Sequence, residues 1–187
     1  MTVGSQDVGP AVRGRGTRPR VRSMLTDSAL REAFSHFPQG VVLVAAEIDG
    51  VRHGLVASTF TVGVSLEPPL VSVAVQHSSR TWPLLREHGH LGVTVLGDRQ
   101  RGVTRQLAGP DRERRFEGLD VEADEHGALV LQGAPAWMTV RVHDEVRAGD
   151  HDLALLEVLA IDSSPTAEAM VFHRSRFKGL VEGDIAC

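Results

Sequence analysis

Residues 54–81 read GLVASTFTVGVSLEPPLVSVAVQHSSRT, and this stretch decides how the rest of the chain is interpreted. It begins with small and hydroxyl residues, crosses Pro68 and Pro69, continues as an apolar run and ends in SSRT. Since proline is confined to the ends and edges of strands, the Pro-Pro pair predicts a corner that precedes a strand. Hydroxyl residues therefore bracket a predicted buried strand, which suits a ligand with a flat hydrogen-bonding head and an anionic tail.

Composition predicts one compact domain, because the chain has 187 residues of which 42% are hydrophobic. Residues 1–23 hold five arginines against one aspartate without a helical or strand period, so we expect a disordered Arg-rich extension before a domain at residues 24–187.

The net charge of −4 then divides into +4 for the extension and −8 for the domain. An acidic domain is not expected to bind nucleic acid, which needs a basic face. The extension is interpreted as a solvated tail, with an anionic partner as the alternative.

Several classes of protein are excluded by what the sequence lacks. The only cysteine is Cys187, so no disulfide framework, Cys-based zinc site or cysteine nucleophile is expected. None of the nine histidines falls in an HExxH spacing, so no metal is predicted. No apolar run approaches the roughly 20 residues of a membrane span, and no secretory signal is recognised. We therefore expect a protein of the reducing cytoplasm with no membrane contact.

Strand patterns dominate the chain. Residues 41–47 and 52–62 flank Asp49-Gly50, a strong hairpin signal. Helical spacing of apolar residues after Thr26 predicts an amphipathic helix of about three turns. Further strands are predicted at residues 70–76, 91–96, 134–146, 151–162 and 169–172, shorter helices at 81–88 and 98–108, and a solvated charged connector at 111–118. The pattern indicates a mainly β (α+β) fold, an antiparallel barrel of Greek-key type with two to three flanking helices, rather than a doubly wound sheet.

The run at residues 78–81 is a candidate anion site. Ser78, Ser79, Arg80 and Thr81 place hydroxyls and a guanidinium where a strand gives way to a helix, and such groups can hold a phosphate. The spacing equally supports a plainer interpretation, in which Ser79 only caps the helix and Arg80 is solvated.

The polar residues inside the strand at 52–62 are a second candidate. Ala57, Ser58, Thr59 and Phe60 stand within an otherwise apolar strand, where polar side chains on a buried face need partners. A flavin ring, with donors and acceptors at its pyrimidine end, can supply them. Period-2 alternation leaves open that Ser58 or Thr59 faces solvent instead.

The turn Gly149-Asp150-His151 joins two long predicted strands and presents His151 at the rim of the barrel. The imidazole can bond a nicotinamide or the flavin edge, while Asp150 orients its ring by accepting from the other nitrogen. The alternative is an ordinary surface histidine. No G-x-S-x-G elbow supports a hydrolase, and the glycines of the Arg-rich extension do not complete a GxGxxG motif, so a Rossmann domain is unsupported.

Seven segments in order carry a family resemblance across residues 30–180. They are FSHFPQGVVLVAA, GLVASTFTVGVSLEPPLVSVAV, SSRTWPLL, LGVTVL, RRFEG, AGDHDLALLEV and VFHRSRFKGL. The chain resembles the flavin reductase-like domain family, which are FMN-binding split β-barrels that include the reductase components of two-component flavin monooxygenases. The order and spacing of the seven segments make the resemblance specific.

The resemblance implies a set of site residues. It assigns the ring site to Val56, Ala57, Ser58, Thr59 and Phe60, the phosphate site to Ser78, Ser79, Arg80 and Thr81, and the nicotinamide side to Gly149, Asp150 and His151. It also places Phe116 in an Arg-Phe signature near the flavin, Thr94 where relatives carry an asparagine, and His173 in the last strand beside the site. This chain reads LVASTF where many relatives read MTANSF, so it lacks two donors that often meet the flavin ring. The choice between FMN and FAD therefore stays open.

The function implied is that of an NAD(P)H-dependent flavin reductase. The cofactors are FMN or FAD with NADH or NADPH, the partners are a flavin-dependent monooxygenase and a second copy of the chain, and His151 is the only catalytic candidate, as a positioning residue. Two alternatives remain: an oxidase or monooxygenase that retains FMN and acts on an organic substrate, and a non-catalytic flavin-binding protein whose Arg-rich extension recruits a partner.

Overall fold

Seven antiparallel strands form the main sheet of the computed structural model, which describes residues 25–180. The predicted Arg-rich extension and the last residues of the predicted domain lie outside the described residues. The helices are α1 (Asp27–Phe34), α2 (Trp82–Arg86) and α3 (Thr104–Leu107). The strands are β1 (Gln39–Gly40), β2 (Val42–Ile48), β3 (Val51–Ala57), β4 (Phe60–Leu66), β5 (Pro69–Gln76), β6 (Leu91–Val95), β7 (Val121–Ala123), β8 (Leu129–Leu131), β9 (Ala136–Ala148), β10 (His151–Ser163), β11 (Met170–His173) and β12 (Arg176–Gly179).

The strand order of the main sheet is β3-β2-β6-β9-β10-β5-β4. Its two end strands, β3 and β4, follow each other in the chain, and β3 also contacts β5. The sheet is therefore rolled into a barrel whose edges meet beside the Ser58-Thr59 link. Strands β1, β11 and β12 form a small second sheet, and β7 and β8 form a hairpin. The predicted mainly β fold with helices at its flanks is confirmed.

Apolar residues fill both faces of the sheet around β2. Val42, Val44 and Ala46 belong to the inner core together with residues of β5, β9 and β10. Leu43 and Ala45 point the other way, into an outer core with β8 and α3. The run at 42–46 is continuously apolar because both faces of the strand are buried, as in strands covered on two sides.

The predicted strand at residues 52–62 is two strands. It breaks after Ala57, and β3 and β4 lie at opposite ends of the strand order. The break occurs where the Thr59 hydroxyl donates to the carbonyl of Ala74 at 2.8 Å, a bond to the neighbouring strand β5. Sequence periodicity missed this because the alternation continues across the break.

Three helix predictions differ in outcome. Helix α2 forms with Trp82 and Leu85 buried, as predicted. The predicted helix at 98–108 is instead a 3-10 turn at Asp98–Gln100 followed by the four-residue α3, with Gly102 between them, since glycine is a poor helix former. Helix α1 has eight residues, about two turns rather than three, and none of them is buried. Within the described residues, no helix is long and apolar enough to cross a membrane.

Four short strands were not predicted from the sequence pattern. Strands β1, β7, β8 and β12 have two to four residues each, too few to show a period. The β7–β8 hairpin covers the outer core, because Leu129 and Leu131 of β8 are buried there.

Candidate functional site

Three segments of the chain meet at the end of β5. Strand β5 ends at Gln76 and continues into residues 77–81, which lie beside β3. The turn between β9 and β10 lies on the other side, since His151 pairs with Gln76 and the His77 N–H donates to the Asp150 carbonyl at 3.0 Å. The predicted anion site, part of the predicted ring site and the predicted nicotinamide turn are thus neighbours.

A cleft of about 380 Å3 opens at residues 78–81. Its other walls are Leu55 and Val56 of β3, the end of α3, and the connector at 110–115. We call it the anion cleft, defined by Ser78, Ser79, Arg80, Thr81, Arg112 and Arg115. Three guanidiniums line it and no carboxylate side chain does, although the described domain is acidic. This charge distribution suits an anionic ligand.

Arg115 is the fixed cation of the cleft. Its Nε and Nη2 donate to the Gly109 carbonyl at 3.0 and 2.8 Å, and its Nη1 donates to the Gly54 carbonyl and to Thr81 Oγ1. Desolvation by burial, followed by the charge of Arg112, lowers the pKa of Arg115 from its ordinary value. Within residues 25–180 no carboxylate pairs with this guanidinium, so an anion in the cleft relieves an uncompensated charge.

The hydroxyls of the cleft are partly used inside the protein. Ser79 Oγ accepts from the N–H of Trp82, the first residue of α2, at 3.2 Å, a contact of the kind that the plainer interpretation of Ser79 expects. Thr81 Oγ1 accepts from Arg115, and both hydroxyls keep a proton for a ligand oxygen. Helix α2 has only five residues, so the attraction for anions comes from the guanidiniums rather than from a helix dipole.

The connector at residues 111–118 is largely exposed, as its charge predicts, but Arg115 and Phe116 are held against the fold. The Gln106 side-chain amide donates to the carbonyls of Arg114, Arg115 and Glu117 at 3.1, 3.2 and 2.9 Å. Phe116 is buried and packs over Gly54, where an added Cβ would lie 2.6 Å from Phe116 Cζ. Arg112 and Arg115 are the site residues that sequence reasoning missed. The signal for Arg115 was the Arg-Phe signature that it forms with Phe116, whereas nothing in the sequence indicated Arg112.

The predicted ring residues divide between the cleft and the core. Val56 lines the anion cleft, whereas Ala57 and Phe60 pack against the inner core. Ser58 is half-buried, and Thr59 is exposed with its hydroxyl donated to Ala74. The structure therefore brings one of these five side chains, that of Val56, into the same cleft as the phosphate residues.

The turn at Gly149, Asp150 and His151 forms as predicted between β9 and β10. Gly149 has a φ of +67°, in the left-handed region that favours glycine. His151 Nδ1 lies 2.8 Å from Asp150 Oδ1, and this hydrogen bond, followed by the histidine charge, lowers the pKa of Asp150. A second pair, His77 Nε2 to Asp152 Oδ1 at 2.9 Å, stands beside it and was not predicted.

Three further predicted residues, Thr94, Phe116 and His173, also lie outside the cleft. Thr94 shares a sheet row with Leu43 and Val56, but it is fully buried and its hydroxyl accepts from the Leu131 N–H at 3.1 Å. Phe116 packs behind Arg115 in the outer core. His173 lies on β11 with Nδ1 3.2 Å from Lys178 Nζ, and desolvation, followed by Lys178, lowers its pKa.

Comparison with known proteins identifies the family. The model of the flavin reductase like domain matches residues 34–181. The chain belongs to this family, and the resemblance deduced from seven motifs is confirmed.

The relatives share most of the chain. A flavin reductase of Pseudomonas putida is 33% identical over 160 residues, which cover 85% of this chain and 93% of the relative. The actinorhodin polyketide dimerase of Streptomyces coelicolor is 34% identical over 84% of this chain and 89% of the relative. The solved NADH:FAD oxidoreductase of Streptomyces globisporus, in complex with NAD and FAD fragments, has a TM-score of 0.78 and 30% identity over 85% of this chain and 96% of that one. Reductase components of two-component monooxygenases are also among the relatives.

Proposed function

We propose that the protein is an NAD(P)H-dependent flavin reductase that uses FMN or FAD and supplies reduced flavin to a partner monooxygenase. One observation carries the proposal: the three guanidiniums of the anion cleft, unopposed by carboxylates, lie beside Val56 at the end of β3. Family membership and the relatives named as flavin reductases support the same function.

The residues of the anion cleft fit a flavin phosphate. Arg80 and Arg112 reach it from two walls, and Arg115 adds a charge that is fixed by three backbone and hydroxyl contacts. The free protons of Ser79 and Thr81 are donors for phosphate oxygens. A hydrogen bond to a charged group contributes about 1.5–3 kcal/mol, so a few of these contacts are enough to anchor the ligand.

The remaining predicted residues orient the two reacting rings. Val56 lines the cleft, so the flavin ring is placed on the β3 side of it, and His151, oriented by Asp150, positions the nicotinamide. When bound, the flavin accepts a hydride from the reduced nicotinamide, a reaction that belongs to the two cofactors. The chain itself contributes proximity and orientation, so no protein acid or base is assigned.

The test is a turnover assay with purified protein. NADH or NADPH is added with FMN, FAD or riboflavin, and loss of nicotinamide absorbance is followed with and without external flavin. We expect oxidation that depends on added flavin. Absence of turnover with every pair would refute the proposal.

A second function is favoured by one relative. The polyketide dimerase named above is named for an organic substrate and is about as similar to this chain as the flavin reductase is. The alternative from the sequence, an enzyme that retains FMN and acts on an organic substrate, is therefore the competing candidate. It predicts a yellow protein whose flavin survives gel filtration and which oxidises NADH poorly.

We also propose that the protein forms a homodimer. Phe34, the last residue of α1, and Phe37, which follows the helix, are 66% and 71% exposed although both belong to the apolar face predicted from the sequence. A symmetric partner that covers them removes about 25 cal/mol of unfavourable hydration for each Å2 of apolar surface. Sedimentation of the wild type and of Phe37→Asp tests this: we expect a dimer and a shift to monomer.

A further inference from the structure

The turn that presents His151 stands at the exposed end of the β9–β10 hairpin. Gly149 and Asp150 are exposed, and the Asp150 side chain keeps 89% of its surface in contact with solvent. An exposed turn with few packed neighbours opens easily unless specific bonds hold it. The function proposed above requires His151 at a fixed place beside the flavin, so the bonds that hold this turn matter for the reaction.

His77 holds the turn at two points. Its backbone N–H donates to the Asp150 carbonyl at 3.0 Å, and its Nε2 lies 2.9 Å from Asp152 Oδ1. Because an ionised carboxylate only accepts hydrogen bonds, Nε2 carries a proton and donates it to Asp152. We call this side-chain bond the brace. It joins the residue that precedes Ser78 of the anion cleft to the residue that follows His151.

The brace lies on the face of the sheet opposite to His151. His151 and Asp152 are consecutive in β10, so their side chains leave opposite faces of the strand. Asp152 pairs with Val75, which belongs to the inner core, whereas His151 pairs with Gln76 on the other face. The brace therefore holds β10 from behind His151 and uses neither nitrogen of the His151 ring.

The anion cleft is held by contacts that do not include the brace. Ser79 Oγ accepts from the Trp82 N–H, and Thr81 Oγ1 accepts from Arg115. Trp82 is buried, and its indole N–H donates to Glu145 Oε1 at 2.8 Å. Without the brace, we therefore expect the exposed turn to lose its position while the cleft keeps its shape.

We propose that His77 and Asp152 are positioning residues for the nicotinamide, which act by holding the turn that carries His151. The inference rests on the proposed flavin reductase function and adds two residues to it. Neither of them lines the anion cleft, and both side chains are partly buried, with 34% and 27% of their surface exposed.

Steady-state kinetics of His77→Ala and Asp152→Ala, with NADH and FMN varied in turn, tests the proposal. We expect each variant to raise the KM for NADH about threefold and to leave the KM for FMN within about twofold, since a partly exposed imidazole–carboxylate pair contributes modestly. Asp152→Asn keeps an oxygen that accepts from Nε2 and should restore the wild-type KM for NADH within about twofold. The two alanine variants remove the same bond from opposite ends, so either one that retains a cooperative thermal transition is sufficient.

A double variant separates positioning from direct contact with the ligand. Adding His77→Ala to His151→Ala should leave the KM for NADH where His151→Ala alone puts it, because a positioning residue has no effect once the group it positions is removed. A further threefold rise would mean that His77 meets the ligand itself and would overturn the inference. His143→Ala is the matched control, since His143 pairs with Glu157 at 3.7 Å on the same hairpin, away from the turn, and its loss should change neither KM.

The wild type separates this inference from the proposed function. If the wild type oxidises NADH with added flavin and both alanine variants keep its KM for NADH, the function stands and the inference fails. An equal rise in the KM for NADH and for FMN would show that the brace shapes the anion cleft, which also overturns the inference. Absence of turnover by the wild type with every flavin would refute the function and the inference with it.

Discussion

The anion cleft and the link at residues 57–60 are both rich in polar groups, but they use them differently. In the cleft, the guanidiniums of Arg80, Arg112 and Arg115 have no carboxylate partner within the described residues. In the link, the Thr59 hydroxyl already donates a hydrogen bond to the Ala74 carbonyl, and Ala57 and Phe60 pack against the core. The anion cleft thus has charges available to a ligand, whereas the polar and apolar groups of the link at residues 57–60 are largely used within the barrel.

This difference indicates which part of a bound flavin should contribute most of the binding free energy. A partly desolvated cation without a carboxylate partner, Arg115, gains more from an anion than satisfied hydroxyls gain from a ring, because the hydroxyls must first give up an internal bond. We therefore expect flavin affinity to depend on the phosphate more than on the ring.

The largest expected effect is that of Arg115→Met. Removing the fixed charge should weaken FMN binding roughly 10–100-fold, the equivalent of a hydrogen bond to a charged group at about 1.5–3 kcal/mol. Fluorescence titration of FMN measures it. Arg105→Met, on the exposed side of α3, is the control and should not change the affinity. Arg115→Lys keeps the charge but cannot reach the same carbonyls, so it should recover only part of the loss.

Gly54→Ala should displace the connector from β3. The new Cβ would lie 2.6 Å from Phe116 Cζ, so we expect a loss of about 1–3 kcal/mol in the free energy of unfolding together with weaker FMN binding. Urea denaturation measures the first effect. Gly89→Ala is the control, because nothing lies within 4 Å of the added Cβ there. Equal stability of the two variants would show that the connector is not packed as described.

His151→Ala tests whether the turn between β9 and β10 serves the nicotinamide rather than the flavin. It should raise the KM for NADH about fivefold, the equivalent of one hydrogen bond of about 1 kcal/mol, and leave the KM for flavin within about twofold. Steady-state kinetics with each substrate varied in turn measures both. His143→Ala on β9 is the control. An equal rise in both constants would place His151 in the flavin site instead.

The smallest expected effect is that of Thr59→Val. The change removes the bond to Ala74, so stability should fall by about 0.5–1.5 kcal/mol while the Kd for FMN stays within about twofold. Thermal unfolding and FMN titration of the same sample report both quantities. A large loss of FMN affinity at unchanged stability would mean that this hydroxyl serves the flavin ring.

Much of the fold follows from local sequence patterns. The strand at 70–76 is bounded by prolines and by the SSRT run, and the turn at 149–151 is set by a glycine, so both were predicted within two residues. The break at Ser58-Thr59 was not, because it depends on a bond to Ala74, 15 residues away. The exposed face of α1 was not predicted either, since spacing specifies an apolar face but not what covers it.

The sequence indicated the residues at 78–81 of the candidate site but not the arginines of the connector. The residues at 78–81 form one continuous run, so their hydroxyls and guanidinium were visible in sequence. Arg115 reaches Gly54 across 61 residues, so its place in the Arg-Phe signature did not indicate that its guanidinium lines the cleft. The roles of Thr94 and Phe116 came from family resemblance, and their place outside the cleft was not evident from the pattern.

Comparison of FMN with riboflavin tests the central claim most directly, because the two ligands differ only in the phosphate. Calorimetry at low salt should give an affinity for FMN at least about 100-fold higher, since two or more charge-assisted hydrogen bonds are lost with riboflavin. Added salt should narrow the difference by screening the guanidiniums. Affinities within about threefold of each other would contradict the account and would place the binding energy in the ring.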